Sequence, residues 1–239
     1  MKIHIITAFP GLMEGPFQES IIKRAQEKNL IEINIYNLRS FTKDKHNQID
    51  DYPYGGGPGM VLKPEPIFDC IDHILEQIAP SDSKRLIFLT PQGKRYDQQH
   101  AKELSTEEHL IFLCGHYKGV DQRVRDYWKF DEISIGDYVL TGGELPALVI
   151  IDSVVRLIPG VISDMNSAAT DSFYNNMLDC PYYTRPEVFR DLGVPSVLLS
   201  GNHAEIEKWR KQKALEITIE RRQDLIKDDN IVTNKTNDE

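Results

Sequence analysis

The chain has 239 residues, carries 28 Lys+Arg against 37 Asp+Glu for a net charge of −9, and is 40% hydrophobic. That is enough for one large domain, or a larger one plus a small one, with an ordinary packed core. No uncharged apolar run approaches the roughly 20 residues needed to span a bilayer. The opening Met1–Ile6 reads as a strand and lacks a signal cleavage region, so a cytosolic protein is expected. Cys70, Cys114 and Cys180 have no metal-ligand spacing and point to neither a disulfide framework nor a zinc site.

Taken in order, Ile3–Thr7 is a short apolar run ending at Pro10-Gly11 and predicts a buried strand. Phe17, Ile21, Ile22 and Ala25 fall at helical spacing, and the alternation Ile31, Ile33, Ile35 predicts a second strand, so the opening is βαβ. Residues 40–63 are polar and then rich in Gly and Pro, a long loop of the kind that carries function. Residues 66–78 return to a helical pattern. Leu86–Leu89, Leu110–Leu113 and Ile133–Ile135 predict three buried strands, each running into a Gly-containing turn: Thr90–Gly93, Cys114–Tyr117 and Gly136–Tyr138. Leu145–Ile158 is apolar nearly all round and predicts a buried helix, stopped by Pro159-Gly160. Such strands with helical crossovers imply an α/β fold with a parallel sheet covered on both faces, whose ligands bind at the carboxyl ends of the strands.

Residues 161–172 are small and polar and are expected to be a linker between a domain at 1–160 and a small, mostly helical one at 173–226. Within the latter, Leu192–Ser200 is expected to hold a short strand and Ala204–Arg222 a helix. The tail 227–239 is acidic and expected to be disordered. Residues 208–213 read Lys-Trp-Arg-Lys-Gln-Lys. The net charge argues mildly against non-specific polyanion binding, yet an acidic chain can bind RNA through one basic face.

The P-loop pattern, the dinucleotide fingerprint, the nucleophile elbow and histidine pairs at metal spacing are all missing from the sequence. What remains is a strand-end pocket of glycine and backbone, which lets a ligand approach the main chain closely. One such loop alone reads first as a tight βα turn; three in succession point to a ligand site.

Eight further segments stand out in order: Asp50–Met60 (DDYPYGGGPGM), Gly115–Val124 (GHYKGVDQRV), Ser134–Pro146 (SIGDYVLTGGELP), Arg156–Val161, Asp171–Phe173, Asp179–Pro186, Gly201–His203 and Lys208–Arg210. Together they resemble the bacterial tRNA (guanine-N1)-methyltransferases. The ordered set covers residues 1 to about 226. The resemblance implies a deep trefoil knot in the α/β domain, a homodimer, and methylation of N1 of guanosine at tRNA position 37 by S-adenosyl-L-methionine. It places the donor on Thr90, Pro91, Gln92 and Gly93, on Gly115 and Tyr117, and on Ile135, Gly136, Asp137, Tyr138, Val139, Leu140, Gly142, Gly143 and Pro146.

Guanine N1 is protonated at neutral pH, so its methylation calls for a base near N1–H and a group that stabilises charge on O6. By resemblance Asp171 is that base and Arg156 supports it. Without the resemblance, Arg156 reads as half of an ion pair with Asp152, and Asp171-Ser172 as a helix N-cap. The resemblance places the loop with Gly57, Pro58 and Gly59, which otherwise reads as a flexible turn, at the target-base pocket, with Asp50 and Ser167 as further candidates for guanine contacts; His203, Lys208, Arg210 and Lys211 are candidates for RNA contacts. Relatives carry two acids where this chain has Lys118 and Gln122; the first is linked in the family to magnesium. A protonated lysine cannot ligate the ion, so a weaker magnesium dependence is expected. Two other readings stay open: a knotted methyltransferase of the SPOUT type acting on another RNA site, and a non-catalytic RNA-binding module with a degenerate donor pocket.

Overall fold

The structure, a computed structural model, describes residues 1–162 and 170–226. Most of the expected linker, with Ser167, and the acidic tail lie outside the described residues. The chain divides into two compact units, Met1–Met165 and Asn166–Glu239.

The first unit opens with β1 (Lys2–Thr7), two short helices α1 (Glu14–Phe17) and α2 (Ser20–Glu27), and β2 (Glu32–Asn37). The expected single helix is broken at Gln18 and Glu19; Phe17 ends α1, while Ile22 and Ala25 are buried from α2. The long loop is not featureless. β3 (Asp50–Asp51) pairs antiparallel with β4 (Val61–Leu62), Asp50 opposite Leu62, so that Tyr52–Met60 forms the tip of a hairpin.

α3 (Pro64–Leu75) follows with prolines in its first turn, where the missing N–H has no helical partner to lose, and buries Ile67, Cys70, Ile71 and Ile74. β5 (Lys84–Arg95), α4 (Gln98–Leu104), β6 (His109–Cys114), α5 (Gln122–Tyr127), β7 (Asp131–Ser134) and α6 (Glu144–Val155) complete the unit. Asp97 caps α4 by accepting from the His100 N–H at 3.0 Å, and Asp121 caps α5 by accepting from the Arg123 N–H at 2.9 Å.

The five long strands form one sheet in the order β2-β1-β6-β5-β7, every pair parallel. All six residues of the central β6 are buried, as a strand covered on both faces requires. On one face Ile6, Ile111, Leu113 and Phe88 pack with Ile67, Ile71 and Ile74 of α3 and Val124 of α5. α2 and α4 each pack against α6, which also contacts β6.

Two features position the site. β5 leaves register after Leu89 and returns at Lys94, and both of these residues pair with Ile133, so Thr90–Gly93 forms a bulge within the strand. α6 is not buried all round as its composition suggests. Ala147, Ile150, Ile151, Val154 and Val155 face the unit's interior, while Leu145 and Val149 are half exposed on the opposite stripe.

In the second unit, β8 (Val188–Phe189) pairs antiparallel with β9 (Leu192–Gly193) around Arg190 and Asp191, both at positive φ. The strand expected over Leu192–Ser200 is confined to β9. Pro195 has no N–H to continue a ladder, and Ser196–Leu199 is instead a helical turn, α7. α8 (His203–Arg221) is capped by Asn202. Its buried Thr218 accepts from the Leu178 N–H at 2.9 Å and donates to the Ala214 carbonyl at 2.6 Å, which ties the helix to the segment before β8.

Candidate active site

Beyond the carboxyl ends of β5, β6 and β7 lies a cavity of about 450 Å³. Three loops wall it: the Thr90–Gly93 excursion, Gly115–Val120, and Ser134–Gly143. Of the residues expected to hold the donor, Thr90, Pro91, Gln92, Gly115, Tyr117, Ile135, Gly136, Tyr138, Val139, Leu140, Gly142, Gly143 and Pro146 line it. Gly93 and Asp137 do not. Gly93 has another reason to be glycine: a Cβ there would lie 2.4 Å from the backbone of Glu132 and Ile133, where the returning strand meets β7.

The walls are stitched by backbone. The Gly143 N–H donates to the Gly115 carbonyl at 2.9 Å, and His116 bridges Gly142. A Cβ on Gly143 would lie 2.7 Å from Cys114 Cα, so only glycine lets the start of α6 close against the end of β6. The hairpin tip is fastened to the same wall. The Lys118 N–H donates to the Met60 carbonyl and the Leu62 N–H to the Gly119 carbonyl, both at 3.0 Å. Asp50 therefore sits at the base of that hairpin and Gly57, Pro58 and Gly59 at its exposed tip, with the Lys118 side chain lying across Gly59.

Electrostatically the cavity is unlike the chain. Among the described residues that line it there is no carboxylate, and the charged ones are Lys118 and Arg125. Arg125 is held by Glu132 at 2.7 Å, and this hydrogen-bonded pairing keeps its guanidinium even more firmly protonated than usual. Cys114 cannot serve as a thiolate nucleophile below the cavity, because burial, and after it the nearby Glu144 carboxyl, push its thiol up. Arg125, His116 and Phe88 also line the cavity, and no sequence feature singled them out as site residues.

A second cavity, about 560 Å³, lies within the second unit. It brings Asp171 together with His203, Arg210 and Lys211, four residues singled out in sequence for chemistry or RNA contact, and adds Asp179, Tyr182 and Glu207. Lys211 is paired with Glu207 at 2.7 Å, while Lys208 faces a neighbouring depression beside Gln212. Asp171 is half buried and no helix starts at it, so the N-cap reading fails. The Asp171 carbonyl accepts from the Tyr174 N–H at 3.2 Å in a run of turns that includes Phe173 at φ 71°. Arg156 is the C-cap residue just after α6 in the first unit and is half buried.

Among the described residues no group of three or more His, Cys, Asp or Glu is placed to hold a metal ion, and no helix is long and apolar enough to cross a membrane.

A strand-end cavity walled by glycine loops on a parallel sheet defines an α/β domain built to take a small ligand against its main chain. The chain belongs to the family described as tRNA (Guanine-1)-methyltransferase TrmD, which matches it over residues 1–228. It is 54% identical over 227 residues to the tRNA (guanine-N(1)-)-methyltransferase of Alkaliphilus metalliredigens, covering 95% of this chain and 92% of that one. Proteins of the same name from Desulforamulus reducens and Clostridioides difficile are each 53% identical, with 95% and 96% of this chain covered and 89% and 99% of theirs.

Proposed function

We infer that the chain methylates N1 of guanosine in tRNA with S-adenosyl-L-methionine as donor, and that the guanosine is the one at position 37. The observation that carries this reading is the cavity at the ends of β5, β6 and β7 in a chain of this family. Its volume falls in the range of small-molecule sites, and its open backbone suits a nucleoside-bearing ligand. When bound, the donor supplies an electrophilic methyl group.

The chain's own residues then have three tasks. Asp171 accepts the proton from guanine N1, which frees the ring nitrogen to attack. Arg156, a fork of donors with no acceptor, stabilises the charge that develops on O6 and holds the carboxylate in place. Asp50, Gly57, Pro58, Gly59 and Ser167 receive the extruded base, and His203, Lys208, Arg210 and Lys211 hold the RNA, with the lysines and arginine on phosphates.

The reading includes a trefoil knot. The return of β5 beyond Thr90–Gly93 and the seating of Gly143 on Cys114 support it, since both draw the loops tightly past one another. It also includes a cytoplasmic homodimer whose active sites each combine the donor cavity of one protomer with Asp171 of its partner. The half-exposed Leu145 and Val149 stripe on α6 supports an apolar contact of that kind. Domains at 1–160 and 173–226 joined by a linker at 161–172 complete the proposal.

The test is to incubate the protein with labelled S-adenosylmethionine and tRNA transcripts that differ only at positions 36 and 37, then map the methylated atom. Label at N1 of guanosine 37 is the expected result. Label at another atom or site, or donor binding without transfer, would overturn it in favour of a different RNA methyltransferase or a binding module.

A further inference from the structure

Arg125, itself a lining residue, joins the separate walls of the donor cavity. Its Nε and Nη2 donate to the two Glu132 carboxylate oxygens at 2.8 and 2.7 Å, a bidentate pairing with β7. Its Nη1 donates to Gln92 Oε1 at 3.0 Å on the β5 excursion. Its guanidinium lies 5.6 Å from the centre of the Phe88 ring, and that ring packs under Gly115. One side chain thus touches β7 and the Thr90–Gly93 loop and, through Phe88, supports the start of the Gly115–Val120 loop.

We propose that Arg125 is a positioning residue for methyl transfer, which sets the Gln92 amide so that its N–H₂ group faces the donor. The inference rests on the methyltransferase reading above. The argument is one of hydrogen-bond inventory. Arginine has five N–H donors and no acceptor, so the Gln92 atom it meets must be the carbonyl oxygen. The flip of that amide is therefore decided by chemistry, and Gln92 keeps both N–H donors for whatever fills the cavity it lines. A ligand offering ring-nitrogen or hydroxyl-oxygen acceptors at that wall, as an adenosyl group does, is recognised. One offering only donors there is not.

The anchoring must also be rigid. Thr90–Gly93 falls in the break of register between β5 and β7, so the ladder does not itself dictate which way the Gln92 amide faces. The bidentate Glu132 pairing fixes the guanidinium plane, which a lysine cannot reproduce.

The experiment is a double-mutant cycle on the full chain, with Arg125→Lys, Gln92→Ala and the double variant. Calorimetry gives the affinity for S-adenosylmethionine, steady-state assays separate donor KM from kcat, and thermal melts report folding. Arg125→Lys should weaken donor binding about tenfold, the size of one net hydrogen bond to an oriented group, with kcat within about twofold. In the Gln92→Ala background the same substitution should change donor affinity by less than about twofold, because the orienting role has lost its object. Equal effects in both backgrounds, or an unchanged donor KM in Arg125→Lys, would overturn the proposal. If the unsubstituted protein binds no S-adenosylmethionine, the methyltransferase reading itself fails, a result distinct from additivity in the cycle.

Discussion

Thr7 donates a 2.6 Å hydrogen bond to a Glu144 carboxyl oxygen, and neither side chain reaches solvent. The bond joins the last residue of β1 to the first residue of α6, behind the Gly143 turn that closes the strand-end cavity. The Thr7 hydroxyl also accepts from the Phe9 N–H at 2.9 Å, so it completes a short polar path through an apolar interior.

Thr7→Val should therefore cost about 2–3 kcal/mol, since it strands a buried carboxyl oxygen and a backbone donor at once. Thr7→Ser, which keeps the hydroxyl, should recover most of that. Urea unfolding of the two variants measures it; equal losses in both would show that the methyl group and not the hydroxyl matters.

Gly143→Ala is expected to damage the cavity more than the fold as a whole. The added carbon would meet Cys114 Cα at 2.7 Å and the Gly115 nitrogen at 3.0 Å, and backbone cannot swing aside as a side chain can. The start of α6 must back away, and the Gly143–Gly115 hydrogen bond with it. Donor affinity should fall at least about tenfold, the equivalent of losing one oriented contact. Titration with S-adenosylmethionine checks this, and affinity within twofold of the parent would contradict it.

If Asp171 is the base proposed above, Asp171→Asn should slow proton abstraction while leaving every donor-lining residue of the first unit unchanged, since Asp171 lines a cavity within the second unit. Methyl transfer should drop by about 10²–10⁴-fold, the usual worth of a general base, while donor affinity holds. Single-turnover rates with saturating tRNA decide it; near-normal chemistry would remove Asp171 from the role.

The opposite end of the sheet carries a pH response. His4 is buried between Tyr36, whose hydroxyl lies 3.2 Å from its Nδ1, and His109, whose Nδ1 lies 3.1 Å from its Nε2, and His109 in turn faces Asp82 at 3.5 Å. Burial, and after it the His109 ring, lower the His4 pKa to about 4, with Glu32 opposing and Lys2 assisting. A depressed folded pKa means the unfolded chain binds more protons between about pH 6.5 and 4, so stability is full above that window and is lost as pH falls through it. At pH 5 the loss should reach about 2 kcal/mol. Denaturation of the parent and of His4→Gln at pH 7 and pH 5 tests this, and the same pH slope in both would refute it.

Much of the architecture was readable one element at a time. Apolar runs such as Leu110–Leu113 must be buried on both sides, and a run buried on both sides with helical crossovers has few destinations besides a parallel sheet. The strand-end glycine loops were legible for the same reason, because a Gly-rich turn after a buried strand falls at the edge where ligands bind. Other features depend on contacts between residues far apart in the chain. Gln92 and Arg125 are 33 positions apart and meet only because β5 breaks register against β7. Thr7 and Glu144 are 137 apart, and nothing in either local pattern marks them as partners. The half-exposed Leu145 and Val149 show the limit from the other side: apolar composition states that a surface prefers to be covered, whereas which part of it this unit itself covers is set by packing geometry. Local periodicity thus determined which segments must be buried and at which end of the strands the glycine-walled cavity falls. The pairing of distant polar groups was decided only by the tertiary structure, since hydrogen bonds act over about 3 Å and leave no period in the sequence.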